Sequence, residues 1–277
     1  IASSLVGSEM CIRDSNIGSF LGAATTRILE VGYKNRQATP SEMERMRGHV
    51  ENSMKEGAMG IGSSLIYAPG DYASTEELTE LSKVASEYGG MYISHLRSEG
   101  TNLLEALEEL ISISRNANIP AEVYHLKASR EPNWSKLDDV IKRIEEVRKE
   151  GLKITADIYT YNASSTGLTG VIPTWVQEGG HRAWINRMKD PEVRPRLLAD
   201  IREQLDEQPP EGILLVGFKT SKMSRKYLAK TVAEAAAMRG QTPEEAIVDM
   251  VIEDDHRIQC IYFLSLIHIS EPTRLLA

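Results

Sequence analysis

The sequence predicts an α/β protein built around a parallel sheet. Three observations predict this class: short β-rich runs alternate with amphipathic helical stripes, several helices open with capping residues, and about 30 residues separate the last three of four successive runs. A crossover of that length accommodates one helix, as parallel strands require. A closed barrel and a doubly wound open sheet both fit this alternation, and periodicity does not separate them.

The first two predicted helices open with capping boxes, in which a Ser or Thr side chain and a Glu three residues later satisfy the first free N–H groups. Thr39 and Glu42 form the first box, with proline at the first helical position, and Ser74 and Glu77 form the second. Two further apolar stripes at helical spacing follow. The predicted helices begin near residues 40, 74, 103 and 137, and the predicted strands are Gly57–Leu65, Met91–Ser94, Ala121–Tyr124 and Lys153–Ala156.

The alternation stops after Tyr161. Residues 162–180 are rich in Ser, Thr and Gly, which is typical of an irregular loop. Residues 162–257 are therefore predicted to be an insertion or lid, and residues 258–263 a short strand returning toward the barrel. Within the insertion, helices are expected near Glu192–Glu207, Thr231–Arg239 and Thr242–Ile252, with a strand at Ile213–Val216.

Composition excludes several classes of protein. The 277 residues are 41% hydrophobic and 26% charged, as in globular proteins. No run of about 18 apolar residues occurs, which argues against a membrane span, and no membrane partner is expected. With 32 Lys and Arg against 40 Asp and Glu, the net charge is −8, which argues against nucleic acid. Two cysteines cannot form a disulfide framework, so we expect a reducing, cytoplasmic location.

The two ends of the sequence are related in an unusual way. The strings LVGSEMCIRDS (residues 5–15) and LSLIHISEPTR (residues 264–274) can be encoded by complementary DNA strands. We therefore expect residues 1–15 and 264–277 to be non-native, translated sequencing-adapter DNA. Cys11 and His268 are then expected to carry no chemistry.

Candidate site residues follow the predicted strands, at the edge where parallel α/β folds place their chemistry. His95 and His125 occupy equivalent positions on successive βα units, 30 residues apart. Neutral imidazoles so placed suit a divalent metal, above all Zn²⁺. A lone histidine there is more often a strand cap, but the matched pair favours a metal site.

Four other polar side chains lie near the same edge. Lys127 follows His125 by two residues and is open to three interpretations: binding of a substrate carboxylate, Schiff-base formation, or a surface cation. Tyr67, Tyr159 and Ser165 follow the first and last predicted strands. Cys260, in an apolar run, is predicted to be a buried thiol.

Several strings resemble the N-acyl-D-amino-acid deacylases, or D-aminoacylases, of the amidohydrolase superfamily. They are GAMGIGSSLIYAPGDYASTEEL, YISHLRSEG, VYHLKASREPNWSKLDDV and ADIYTYNASSTGL, with NIGSFLGA before them and GQTPEEAIVDMVIEDD after them. The resemblance implies a metal-dependent (β/α)₈ barrel that hydrolyses the amide of an N-acyl-D-amino acid, a small-molecule substrate. It also implies that His95 and His125 bind zinc on the fifth and sixth strands, and that Tyr67, Lys127, Tyr159 and Ser165 bind the substrate.

Other residues of the family pattern have no match here. The His-x-His after the first strand, the bridging cysteine after the second, the general-base aspartate after the eighth and a carboxylate-binding arginine are missing, and neither Asp157 nor Cys260 matches them. The resemblance therefore implies a fragment: a partial barrel of about strands four to seven, with the insertion before a missing last strand. Such a fragment is expected to be inactive and to retain no catalytic residue.

Two rival functions remain open. One is another amidohydrolase that acts on cyclic amides, which the implied carboxylate-binding residues disfavour. The other is an aldolase-type barrel that uses Lys127 as a Schiff base, which borohydride trapping would distinguish from a chelator-sensitive hydrolase.

Overall fold

Five parallel strands form the first of two sheets in the computed structural model, which describes residues 17–255 and 258–263. Predictions for residues 1–15 and 264–277, including Cys11 and His268, lie outside the described residues. The sheet order is β1-β2-β3-β4-β5, in chain order. Its strands are β1 (Leu21–Gly22), β2 (Gly60–Ser64), β3 (Met91–His95), β4 (Ala121–Val123) and β5 (Ile154–Ala156).

This parallel sheet confirms the predicted class and the four predicted strands. The structure adds β1, whose two residues are too few to leave a periodic pattern. Two helices lie between β1 and β2, and one helix follows each of β2, β3 and β4, as crossovers between parallel strands require. The helices of this part are α1 (Ala23–Glu30), α2 (Pro40–Lys55), α3 (Thr75–Glu87), α4 (Leu103–Ala117) and α5 (Lys136–Lys149).

Capping fixes where two of these helices begin. At α2, the Thr39 hydroxyl accepts the Glu42 N–H while the Glu42 carboxylate accepts the Thr39 N–H at 2.7 Å. At α3, the Ser74 side chain accepts the Glu77 N–H at 3.1 Å. Each cap satisfies backbone donors that have no partner within the helix. Because each cap fixes the first residue of its helix, it also fixes the length of the loop that precedes the helix.

A second sheet is antiparallel, with the order β6-β8-β7. Its strands are β6 (Ala163–Gly167), β7 (Ile213–Gly217) and β8 (Gln259–Phe263). Five helices accompany it: α6 (His181–Lys189), α7 (Arg194–Glu207), α8 (Ser221–Tyr227), α9 (Val232–Arg239) and α10 (Pro243–Asp254). No helix among the described residues has the length and apolar character that a membrane crossing requires.

Two expectations for this region are wrong. Residues 163–167 form a strand, although 162–180 was expected to be irregular; their pairing partner, β8, lies about 95 residues later, so local sequence carries little sign of it. The strand at 259–263 lies between β6 and β7 and does not join the parallel sheet. Its central position is stabilised by hydrogen bonds on both sides.

Each sheet has its own apolar core. One cluster joins the parallel sheet to α1–α5 and includes Leu81, Leu107 and Ile111, each fully buried. The other comprises residues between Leu168 and Tyr262, with Trp184 and Ile247 among them. His95, His125 and Lys127 lie at or just after the carboxyl ends of β3 and β4, whereas Ser165 lies in β6 of the second sheet.

Candidate metal centre

His95 and His125 meet at the carboxyl edge of the parallel sheet. His95 is the last residue of β3, and His125 lies two residues after β4, the neighbouring strand. Their ring centroids are 4.5 Å apart and their planes are nearly perpendicular. With Glu99 they form a group whose ligand atoms all lie within 4.8 Å of one another. Two imidazoles and a carboxylate are donors that suit a divalent metal.

The turn that carries His125 is held in a strained conformation. His125 has φ +39°, a left-handed value that is uncommon for residues other than glycine. Its N–H donates to the Asp157 carboxylate, which follows β5, and the next N–H, of Leu126, donates to the Asp157 carbonyl oxygen at 2.8 Å. Strain of this kind persists where surrounding contacts over-determine it, often at functional sites. Asp157 thus stabilises the backbone of the candidate ligand.

His95 is arranged as a neutral imidazole. Burial lowers its pKa, and Glu99 opposes this only in part. Its Nδ1 lies 3.0 Å from the Leu96 carbonyl oxygen, which can only accept, so Nδ1 carries the hydrogen. The lone pair of the neutral ring is therefore on Nε2, where a metal can bind.

Lys127 is buried beside these rings and is not a free cation. Its Nζ contacts Glu99 Oε1 and lies 2.8 Å from His125 Nδ1 and 3.0 Å from the His125 carbonyl oxygen. These three acceptors match the three hydrogens of an ammonium group. Burial lowers the pKa of Lys127, while the Glu99 carboxylate opposes the shift. The interpretation of Lys127 as a surface cation is wrong, because the residue is 5% exposed.

Glu99 was missed by the sequence analysis. Burial would raise its pKa, but contacts with His125 and Lys127 outweigh burial and lower the pKa to about 2. Its Oε1 lies 3.1 Å from His125 Nδ1 and 3.7 Å from His95 Nδ1. The available signal was its position in SHLRSEG, four residues after His95 in the loop at the strand end.

The two predicted tyrosines flank the histidines. The Tyr67 ring is 5.8 Å from His95, and the Tyr159 ring is 6.2 Å from His125 and 5.4 Å from Lys127 Nζ. Burial, then the charge of Glu99, raises the pKa of Tyr159. Its buried hydroxyl makes no hydrogen bond of normal geometry among the described residues, although Ser164 lies near enough to oppose the rise.

Ser165 is placed differently. It lies in β6, and its hydroxyl donates to the Cys260 carbonyl in β8 at 3.1 Å. Among the described residues, its hydrogen bonds connect it to the second sheet and not to the histidines. Cys260 is a buried free thiol, as predicted, and burial raises its pKa to about 12.

A cavity of about 870 Å³ opens beside Glu99. Its walls come from the loop after β3, from residues 170–175 and from α7. Acidic side chains exceed basic ones there: Asp71, Glu99, Asp200, Glu203 and Glu207 against Arg97 and Arg130. Both arginines are already paired, Arg97 with Glu109 and Arg130 with Glu207. The cavity is large enough for a small molecule next to the candidate metal centre.

Comparison with known proteins finds partial similarity to the D-aminoacylases and related deacylases. The chain is 33% identical to the D-aminoacylase of Alcaligenes xylosoxydans xylosoxydans over 153 residues, which are 55% of this chain and 31% of that protein. It is 29% identical over 151 residues to the N-acyl-D-glutamate deacylase of the same organism. Over these segments the chain is similar to the D-aminoacylases. It spans about a third of the length of these curated relatives, and no family model matches it.

Solved structures of D-aminoacylases and related deacylases share the fold. An N-acyl-D-glutamate deacylase from Bordetella bronchiseptica, complexed with zinc and a phosphonate inhibitor, superposes with a TM-score of 0.71 at 22% identity. The match covers 92% of this chain and 45% of that one. A D-aminoacylase structure gives 0.66 at 24% identity, covering 89% of this chain and 43% of that one. At these identities the likeness shows the fold alone.

Proposed function

We propose that a protein carrying this segment is a zinc-dependent hydrolase of N-acyl-D-amino acids, releasing a carboxylate and the free D-amino acid. The observation that carries the proposal is the convergence of His95 and His125 in a relative of the D-aminoacylases. The parallel sheet would be part of a (β/α)₈ barrel, about its strands four to seven. Residues 162–257 would then be an insertion before the last strand, covering the mouth of the barrel.

The metal would be held by His95 and His125. Both residues lie at the carboxyl ends of neighbouring strands. The neutral His95 ring carries its lone pair on Nε2, which is the nitrogen that would bind the metal. When bound, zinc supplies Lewis-acid chemistry, lowering the pKa of a water ligand toward about 7 and polarising an acyl carbonyl. The contribution of this chain is to fix the two imidazoles, through the Asp157 contact at His125 and the Leu96 carbonyl contact at His95.

The substrate would lie between the histidines and the cavity beside Glu99. Lys127, Tyr67 and Tyr159 lie around the two histidines and would orient the carboxylate of the amino acid. Only one enantiomer of the substrate would then place its amide at the metal. Ser165, in β6, would also bind the substrate. The same proposal places the protein in the cytoplasm, since the cysteine among the described residues is a buried free thiol.

The test is activity in a chain of the relatives' length. Residues 17–263 would replace the matching segment of the Alcaligenes D-aminoacylase, and hydrolysis of N-acyl-D- and N-acyl-L-amino acids would be followed with Zn²⁺ and with chelator. We expect chelator-sensitive turnover of the D form. Activity on cyclic amides alone would contradict the substrate assignment.

A Schiff-base function for Lys127 is the second candidate, because burial lowers the pKa of this amine. The Glu99 carboxylate favours the charged ammonium and so disfavours the nucleophilic amine. Loss of activity on borohydride treatment with substrate, with a mass increase on Lys127, would support the second candidate against the first.

A further inference from the structure

His125 Nδ1 lies 2.8 Å from the Lys127 ammonium, which can only donate to its lone pair, and 3.1 Å from Glu99 Oε1, which can only accept its hydrogen. The two neighbours therefore favour different tautomers of the ring. If Lys127 donates to His125 Nδ1, at 2.8 Å, then the hydrogen of the neutral ring is on Nε2. The imidazole then has no lone pair left for a metal. The Glu99 oxygen nearest both histidines, Oε1, is the one that contacts the same ammonium.

We propose that Lys127 competes internally with the metal, since its ammonium occupies His125 Nδ1 and Glu99 Oε1, which a bound cation must recruit or rearrange. The inference rests on the proposed metal site. Metal binding at Nδ1 takes the acceptor of Lys127 directly. Binding at Nε2 moves the hydrogen to Nδ1, where it would face an ammonium donor at hydrogen-bond distance. Either way, Lys127 must leave Nδ1.

Electrostatic repulsion between the Lys127 ammonium and a bound metal ion also favours competition. Two cations a few ångströms apart in a partly buried site repel, and the penalty grows as water is excluded. Lys127 has limited freedom to avoid this, since its side chain is 6% exposed and packs over the Tyr159 ring. The ammonium released from His125 gains a free donor, so it becomes available to the carboxylate of a substrate. Metal binding would therefore strengthen carboxylate binding, and carboxylate binding would strengthen metal binding by the same factor.

The competition predicts that removing the Lys127 ammonium raises the affinity of the site for the metal. Lys127→Met keeps the length of the side chain and removes the ammonium. The affinity of the 277-residue chain for Zn²⁺, measured by competition with a chromophoric chelator, should rise at least about tenfold in this variant. Lys142→Met, which removes an exposed lysine on α5, is the matched control and should leave the affinity unchanged.

A second measurement uses the unaltered chain. Acetylation of individual lysines by an N-hydroxysuccinimide ester would be followed by mass spectrometry at fixed pH, with and without Zn²⁺. Zn²⁺ should accelerate acetylation of Lys127 several-fold and leave Lys142 unchanged, because only Lys127 loses a hydrogen bond.

The outcomes separate this inference from the proposed function. Zn²⁺ binding that is at least about tenfold tighter in Lys127→Met than in the unaltered chain supports competition. Equal affinity in both, with unchanged acetylation of Lys127, overturns the competition and leaves the metal site standing. Absence of Zn²⁺ binding from both chains overturns the metal site and the competition together.

Discussion

Tyr67 Oη and Thr166 Oγ1 lie 2.7 Å apart, which joins the loop after β2 to β6 of the second sheet across 99 residues of sequence. The same tyrosine ring packs edge-on against His95. This hydrogen bond therefore connects the candidate metal centre to the antiparallel sheet that faces it.

Removing this hydrogen bond should lower the free energy of unfolding only slightly. The interaction should nevertheless be measurable as a coupling free energy between the two residues. Tyr67→Phe and Thr166→Val each delete one hydroxyl, and a double-mutant cycle of chemical unfolding should give a coupling of about 1 kcal/mol. Ser165→Ala with Tyr67→Phe is the control, because Ser165 donates to Cys260 instead. Additive effects for the Tyr67 and Thr166 pair would contradict the connection.

Arg27 and Glu77 form a buried ion pair between α1 and α3, at 2.6 Å, with exposures of 0% and 3%. Removing Glu77 leaves the buried Arg27 charge without its counter-ion. Among the described residues, only the Lys34 and Arg36 carbonyl oxygens then remain as its acceptors. Glu77→Ala should therefore lower the free energy of unfolding by about 3–5 kcal/mol. Glu76→Ala changes an exposed neighbour on the same helix and should stay within about 0.5 kcal/mol of the unaltered chain. Similar losses in both variants would argue against the pair.

Gly60 begins β2 with φ +146°, and a Cβ there would lie 1.9 Å from the Met91 carbonyl oxygen. Gly60→Ala should therefore lower the free energy of unfolding well beyond the roughly 1 kcal/mol that a positive φ alone would cost. Gly89→Ala tests that smaller cost, since Gly89 has φ +72° and open space around its Cβ position. Equal melting temperatures for the two variants would contradict this close approach of β2 to β3.

Stability should depend on acid pH through the cap of α2. The hydrogen bonds from Arg36, then the Thr39 N–H, hold the pKa of Glu42 well below 4.5. A depressed carboxyl pKa stabilises the fold above the unfolded pKa, and this contribution is lost as pH falls through the lower folded value. Between pH 5 and 3, Glu42→Gln should lose less stability than the unaltered chain, whereas Glu44→Gln should follow it.

The sequence was sufficient for features that depend on local patterns. Capping boxes and apolar stripes located α2 to α5 and four of the five parallel strands, and equivalent strand ends placed His95 beside His125. The class of fold is therefore predictable from periodicity and loop length. The family resemblance supplied the likeness to D-aminoacylases that identity over 153 residues supports.

Non-local contacts account for what was missed. β6 pairs with residues about 95 positions away, so its Ser- and Thr-rich segment looked irregular, and β8 was assigned to the wrong sheet. Glu99 looked like one acidic loop residue among many, because its importance depends on Lys127 and His125 reaching it from another strand. The roles of Tyr67, Lys127, Tyr159 and Ser165 in substrate binding stay predictions.

The central claim is that His95 and His125 together hold one metal ion. Calorimetric titration of the 277-residue chain with Zn²⁺ should give one high-affinity site, which His95→Ala and His125→Ala each weaken by at least about a hundredfold. His181→Ala is the control, because that ring pairs with Asp255 at 2.8 Å, outside the group formed by His95, Glu99 and His125. The account predicts loss of the site in the first two variants alone; unchanged Zn²⁺ affinity in both would contradict it.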